Sequence, residues 1–185
     1  MSESLVELAK RFPLTDKGTA HSYLEVYEEL FAPLREEPLL ILEIGVSFGD
    51  SLKLWDAYFP NAKVWGCDND PGSYKDERVL SIDATDQQAV LKAFGPIQFD
   101  LIIEDASHRI WDQVAIYRNF RDRLTPGGLY VIEDIADLDT PPRIGNTPNR
   151  ETYLGLDPSR KIELVDRRSI HNRWDDVLLI IRDQR

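Results

Sequence analysis

From Leu39 onward the chain alternates short, unbroken apolar runs with segments of helical length, and few folds accept that pattern. The runs cover residues 39–44, 62–67, 79–82, 99–103 and 129–132. A run without polar alternation suits a strand covered on both faces, as in a parallel sheet. The intervening segments, 51–59, 87–94 and 111–124, have the length of crossover helices. Two further runs, 161–165 and 177–181, are separated only by residues 166–176, with no helix expected between them. So short a link favours an antiparallel pair. The expected fold is therefore α/β: a Rossmann-like, doubly wound, mostly parallel seven-stranded sheet with an antiparallel C-terminal strand. Ahead of it, Leu5, Leu8 and Phe12, then Tyr23, Leu24, Tyr27, Leu30 and Phe31, mark two short N-terminal helices. Pro13 and the polar turn Thr15-Asp16-Lys17-Gly18 separate them.

At 185 residues the chain fits one domain with a sizeable core. It divides into N-terminal helices (1–36), a ligand-binding core (37–135), a lid-like loop (136–157) and a terminal strand pair (158–185). The loop assignment rests on Pro141, Pro142, Gly145 and Pro148, at the sheet edge where open α/β folds bind ligands. A net charge of −11 argues against nucleic acid as a partner. The lone Cys67, the lack of an apolar leader and the lack of a long apolar stretch give the expectation of a cytoplasmic protein without membrane contact.

The first strand leads into Glu43-Ile44-Gly45-Val46-Ser47-Phe48-Gly49-Asp50-Ser51. Glycines at 45 and 49 allow a tight turn and close backbone approach to a ligand, though the spacing departs from GxGxxG. The acids that end the following strands add to this signal. Asp68 ends the second strand, about 20 residues past the glycines, where a carboxylate accepts from ribose hydroxyls. Asp83, followed by Ala84, ends the third, in reach of an adenine amino group, and Glu43 lies near the charged end of such a ligand. Each acid alone reads more readily as a helix cap or a solvated loop residue. In register at successive strand ends, they point to an adenosine-type site holding Glu43, Gly45, Gly49, Ser51, Asp68, Asp83, Ala84 and Asp105.

The fourth strand ends in Glu104-Asp105-Ala106-Ser107-His108 and the fifth in Glu133-Asp134. Neighbouring strand ends converge, so Asp105, Glu133 and Asp134 can share a hard cation, for which an all-oxygen set favours Mg²⁺ over zinc. His108 lies three residues past Asp105, placed to take a proton from a metal-held hydroxyl. The alternative is that Glu133, Asp134 and His108 are caps.

Taken together, Gly45 and Gly49, Asp68, Asp83, the Glu-Asp-Ala-Ser-His run and the Gly-Gly-Leu-Tyr-Val-Ile-Glu-Asp run resemble class I, metal-dependent O-methyltransferases. The likeness is to the mycinamicin-type macrolide sugar enzymes and the cephalosporin-biosynthesis methyltransferase component, which carry a similar Thr/Ser-Asp-Lys turn before the core. It spans about residues 13–135 and the terminal strand pair. It implies S-adenosylmethionine and Mg²⁺ as cofactors, Asp105, Glu133 and Asp134 as metal ligands, and Asp105 and His108 as the catalytic pair with His108 as general base. It further implies a small-molecule hydroxyl acceptor, a sugar or other natural product, and a homo-oligomer is expected of so small a domain. Two other readings stand beside it: a non-catalytic accessory protein that keeps the cofactor fold, and a nicotinamide-dependent oxidoreductase. Of the remaining residues, Trp55 and Trp111 are expected in the core and Lys17 in solvent. His21 is expected to be structural, and His171 and Trp174 to lie in a connection open to a ligand.

Overall fold

The computed structural model describes residues 3–70, 74–136 and 150–183. Two short helices, α1 (Leu5–Ala9) and α2 (Leu24–Phe31), precede β1 (Leu40–Ile44). There follow α3 (Asp50–Tyr58), β2 (Lys63–Asp68), β3 (Val79–Ser81), α4 (Gln87–Phe94), β4 (Phe99–Glu104), α5 (Ile110–Phe120) and β5 (Leu124–Ile132). After these come α6 (Arg150–Leu154), β6 (Lys161–Asp166), α7 (Arg168–His171) and β7 (Val177–Arg182). Hydrogen bonds order the strands β3-β2-β1-β4-β5-β7-β6. β1 to β5 are parallel, and β7 runs antiparallel to both β5 and β6. This is the expected mixed, doubly wound sheet.

Residues with a period of two sort the core onto the two faces of this sheet. Ile41, Leu101, Ile103, Leu129, Val131, Leu178 and Ile180 meet α1, α2 and α3 through Leu5, Tyr27, Phe31 and Trp55. Leu42, Ile44, Ile102, Tyr130, Ile132, Leu179 and Ile181 meet α4 and α5 through Val90, Phe94, Ile116, Tyr117 and Phe120. Helices therefore leave β1 toward one face and β4 toward the other. The strand order reverses between these two neighbours, and their carboxyl ends open the crevice where doubly wound folds bind ligands. Local signals support the elements. Asp86 caps α4 by accepting from the N–H groups of Gln88 and Ala89, at 2.8 and 3.3 Å.

Four expectations need correction. A short helix, α7, does lie between β6 and β7, within the link read as helix-free. Residues 150–154, placed in the lid-like loop, are helical, and Tyr153 packs into the α5 face. Residues 137–149 of that loop lie outside the described residues. Trp55 is buried as expected, whereas Trp111 is 62% exposed because α5 buries Gln113, Val114, Ile116, Tyr117 and Phe120 and carries residue 111 on its opposite face. Lys17, expected in solvent, is 1% exposed. Among the described residues, no helix is long and apolar enough to cross a membrane.

Phe120 is wholly buried, with its ring 5.6 Å from that of Phe94. We expect Phe120→Ala to lose about 3–5 kcal/mol in urea unfolding. A loss below about 1 kcal/mol would mean that this face is not a close-packed core.

Candidate active site

β1 ends in a turn that only glycine satisfies at its first position. Gly45 has φ +89°, and a Cβ there would lie 2.0 Å from the Asp105 carbonyl oxygen. The β1 turn is thereby pressed against the end of β4, leaving a floor of bare backbone beneath any ligand. Asp68, at the end of β2, fastens the turn: its Oδ2 accepts from the N–H groups of Val46 and Ser47 at 2.8 and 3.0 Å. Its Oδ1 accepts from Asp70 N–H at 2.8 Å. Asp83, after β3, accepts from the backbone and hydroxyl of Thr85 at 2.9 and 2.7 Å. Both acids thus serve as turn caps, and both also line a cleft of about 350 Å³ with Gly45, Ala84, Asp105 and Ile116. A second cleft of about 370 Å³ is lined by Leu14, Lys17, Phe48, Gly49, Ser51 and His108. The two clefts share Gly45, Ser47, Asp105 and Ala106. Volumes of this size suit small ligands.

Where the clefts meet, carboxylates gather around one buried ammonium. Lys17 Nζ donates to Asp105 Oδ2 at 2.6 Å and to Glu133 Oε1 at 2.8 Å, and lies 3.6 Å from Glu43 Oε1. Burial alone lowers its pKa, but Asp105, Glu133 and Glu43 outweigh that and hold it well above the ordinary lysine value. Glu43 also accepts from Ser51 Oγ at 2.8 Å. Burial pushes its carboxyl up to about 7, against the pull of Lys17. Glu133 is raised by burial as well. Asp105 moves the other way: burial is overcome by the charge of Lys17 and by hydrogen bonds from His108 and Lys17.

His108 Nε2 lies 3.1 Å from both Asp105 Oδ1 and Asp134 Oδ2. Asp105, His108 and Asp134 each offer one donor atom, all within 4.8 Å of one another. Glu133, expected beside them, instead directs Oε1 to Lys17 and to the Tyr27 hydroxyl, at 2.8 and 2.6 Å. His108 and Asp134 have φ of +53° and +55°, left-handed conformations that cost a residue with a Cβ roughly 1–2 kcal/mol. Backbone strain of this kind collects at functional sites. Gln113 of α5 helps hold the bend, donating to the Glu133 carbonyl at 2.9 Å while accepting from the Tyr153 hydroxyl at 2.7 Å. The set is chemically suited to a divalent ion. Two carboxylates converge with an imidazole, a third carboxylate adjoins, and they exceed the positive charge around them.

Of the other residues weighed in the sequence, His21 is buried and stacked on Tyr23 with ring centroids 4.7 Å apart. His171 lines a separate small cleft with Val6 and Ile170, and Trp174 is exposed. The sequence reading missed Lys17, Tyr23 and Tyr27 as parts of the site. The one available signal was the four-residue spacing of the two tyrosines, which places both hydroxyls on one side of a helix.

No protein-family model matches the chain. The mixed sheet and its crevice define a Rossmann-like fold of the class I methyltransferase type. The chain superposes with a TM-score of 0.76 on the MycE methyltransferase of the mycinamycin biosynthetic pathway in complex with Mg, SAH and mycinamycin VI. That match has 26% identity and covers 100% of this chain and 54% of the other. Its sequence homologues are sugar O-methyltransferases of macrolide and tetracenomycin pathways. The mycinamicin VI 2''-O-methyltransferase of Micromonospora griseorubida is 30% identical over 194 aligned positions, covering 88% of this chain and 48% of the relative. The 8-demethyl-8-alpha-L-rhamnosyl tetracenomycin-C 2'-O-methyltransferase of Streptomyces olivaceus is 35% identical over 134 residues, 65% of this chain and 35% of the relative. The chain thus spans half or less of the length of these two relatives.

The hydrogen bond that His108 makes to Asp105, followed by the charge of Asp134, raises the His108 pKa to about 9 against the opposing effect of burial. Its folded value exceeds the unfolded one. The contribution to stability is therefore complete below about pH 6.5 and is lost as pH rises through about 9. In the cation-free protein, imidazole NMR should place the His108 midpoint near 9. A midpoint at or below about 6.5 would show that the carboxylate pair does not hold the ring.

Proposed function

We propose that this chain transfers the methyl group of S-adenosylmethionine to a hydroxyl of a small molecule, with sugar-bearing natural products as the acceptor class. The observation that carries the reading is the junction of the two clefts at Gly45 and Asp105, with His108 on one side and the strand-end acids Asp68 and Asp83 on the other. When bound, the sulfonium cofactor supplies an electrophilic methyl group, and Mg²⁺ supplies an oxygen-binding Lewis acid that lowers the pKa of a hydroxyl.

Glu43, Gly45, Gly49, Ser51, Asp68, Asp83, Ala84 and Asp105 are the residues assigned to the cofactor. The bare backbone at Gly45 admits it closely, and Asp68 and Asp83 offer acceptors to its ribose and adenine. Asp105, Glu133 and Asp134 are assigned to the cation. His108 Nε2 is the proton acceptor. It is poised for this when Asp105 and Asp134 share their charge with a divalent ion and no longer hold the ring as an imidazolium. Leu14 and Phe48, 64% and 58% exposed, border the His108 cleft and give it an apolar rim. Orientation of the acceptor between that rim and His108 excludes competing water and accounts for much of the expected rate. The acceptors named for two homologues, a rhamnosyl tetracenomycin-C and mycinamicin VI, support this choice of substrate class.

Calorimetric titration with S-adenosylhomocysteine should give micromolar binding, with NAD⁺ silent; the reverse pattern would favour an oxidoreductase. His108→Ala should retain that binding and lose about 10²–10⁴-fold in turnover on a glycosylated acceptor. Near-normal turnover in this variant would remove His108 from the base role. Chelation with EDTA should abolish activity and Mg²⁺ restore it; full activity in chelator would eliminate the cation.

A further inference from the structure

Consecutive residues of a strand point to opposite faces of its sheet, so Glu133 and Asp134 would aim their carboxylates apart if β5 simply continued. The chain bends at Asp134 instead, with φ +55°. Donors from the segment before β1 meet both carboxylates there. The Tyr23 hydroxyl, at the start of α2, donates to Asp134 Oδ1 at 2.6 Å and accepts from Asp134 N–H at 3.3 Å. Tyr27, one helical turn later, donates to Glu133 Oε1 at 2.6 Å. Lys17 bridges Glu133 to Asp105. All three side chains are buried to 1% exposure or less. None of them lies on the sheet that carries the acids.

We propose that Tyr23, Tyr27 and Lys17 are positioning residues for a divalent cation, setting the carboxylates of Asp134, Glu133 and Asp105 before the ion arrives. The inference rests on the cation reading above and extends it: ion affinity is encoded in the segment ahead of the sheet as well as at the strand ends. Tyr23 is the decisive member. It holds Asp134 at both the backbone and Oδ1, which leaves Oδ2 turned toward His108 at 3.1 Å. Without the hydroxyl, Oδ1 is left with the His21 ring, whose Nδ1 lies 3.1 Å away, and both the side-chain torsion and the bend lose a restraint. Partners one step removed from an ion tune its affinity in this way, and their loss typically costs about 10–100-fold.

The test is Tyr23→Phe, which keeps the ring and its stacking on His21. Wild type and variant are titrated with Mn²⁺ by electron paramagnetic resonance, and separately with S-adenosylhomocysteine in chelator by calorimetry. The expected result is Mn²⁺ binding weakened about 10–100-fold in a variant that still folds cooperatively, with S-adenosylhomocysteine affinity retained. Turnover should recover at high Mg²⁺. Unchanged Mn²⁺ affinity in the folded variant overturns the proposal. So does a parallel loss of both affinities, which would mark a purely structural tyrosine. Should wild type bind neither Mn²⁺ nor Mg²⁺, the cation reading falls and takes this inference with it, while the cofactor titration stands apart. If Tyr23→Phe does not fold, Tyr27→Phe carries the same comparison at Glu133.

Discussion

A parallel sheet brings the carboxyl ends of its strands to one edge, and in this chain those ends are acidic. Glu43, Asp105, Glu133 and Asp134 come from three adjacent strands and converge in a space largely closed to water. Such an arrangement is untenable without positive charge inside it. Lys17 provides that charge, with its ammonium between Asp105 and Glu133 and close to Glu43. Breaking a buried pair of this kind by removing one partner typically costs about 3–5 kcal/mol, because the other charge is left stranded. The contact ties the N-terminal turn to the sheet, and the geometry of the site follows from it.

The same segment is anchored on its other side. Ser22 donates through its backbone and hydroxyl to the two oxygens of Asp176, at 3.1 and 2.7 Å. Asp176 immediately precedes β7, so residues 17–27 lie between the end of β5 and the start of β7. The antiparallel strand thereby contributes to the site without lending it a ligand. It brings the chain back to the edge from which the N-terminal turn is held. Tyr27 stacked on Phe31, with Trp55 edge-on to both, continues this anchoring into the core beneath α2 and α3.

The order of strands and helices was legible because burial on both faces leaves unbroken apolar runs, which the alternation of helices then orients. The convergence of Asp105, His108 and Asp134 was legible for a related reason, since parallel strands deliver their C-terminal residues to one place. The role of Lys17 was not. A lysine in a polar turn looks solvated until the acids that receive it are assembled from residues 88 and 116 positions away. Tyr23 and Tyr27 were hidden by their own hydrophobicity: their rings satisfy the helical pattern of α2, which says nothing of where the hydroxyls end. Trp111 misled in the opposite way. Its three-residue spacing from Val114 fits a buried stripe, but the stripe that α5 buries centres on Gln113, Ile116, Tyr117 and Phe120 and leaves residue 111 on the far side.

His108 and Asp134 combine two demands in one letter each. Histidine and aspartate are among the few residues with a Cβ that enter the left-handed region with some frequency, together with asparagine. The backbone bends that aim these groups thus restrict the alphabet at both positions independently of any chemistry. A descendant freed from selection for activity would still meet that conformational filter, and would drift there toward asparagine or glycine rather than alanine or a β-branched residue. The trace of a lost function in such a lineage would be a conserved bend carrying an inert side chain.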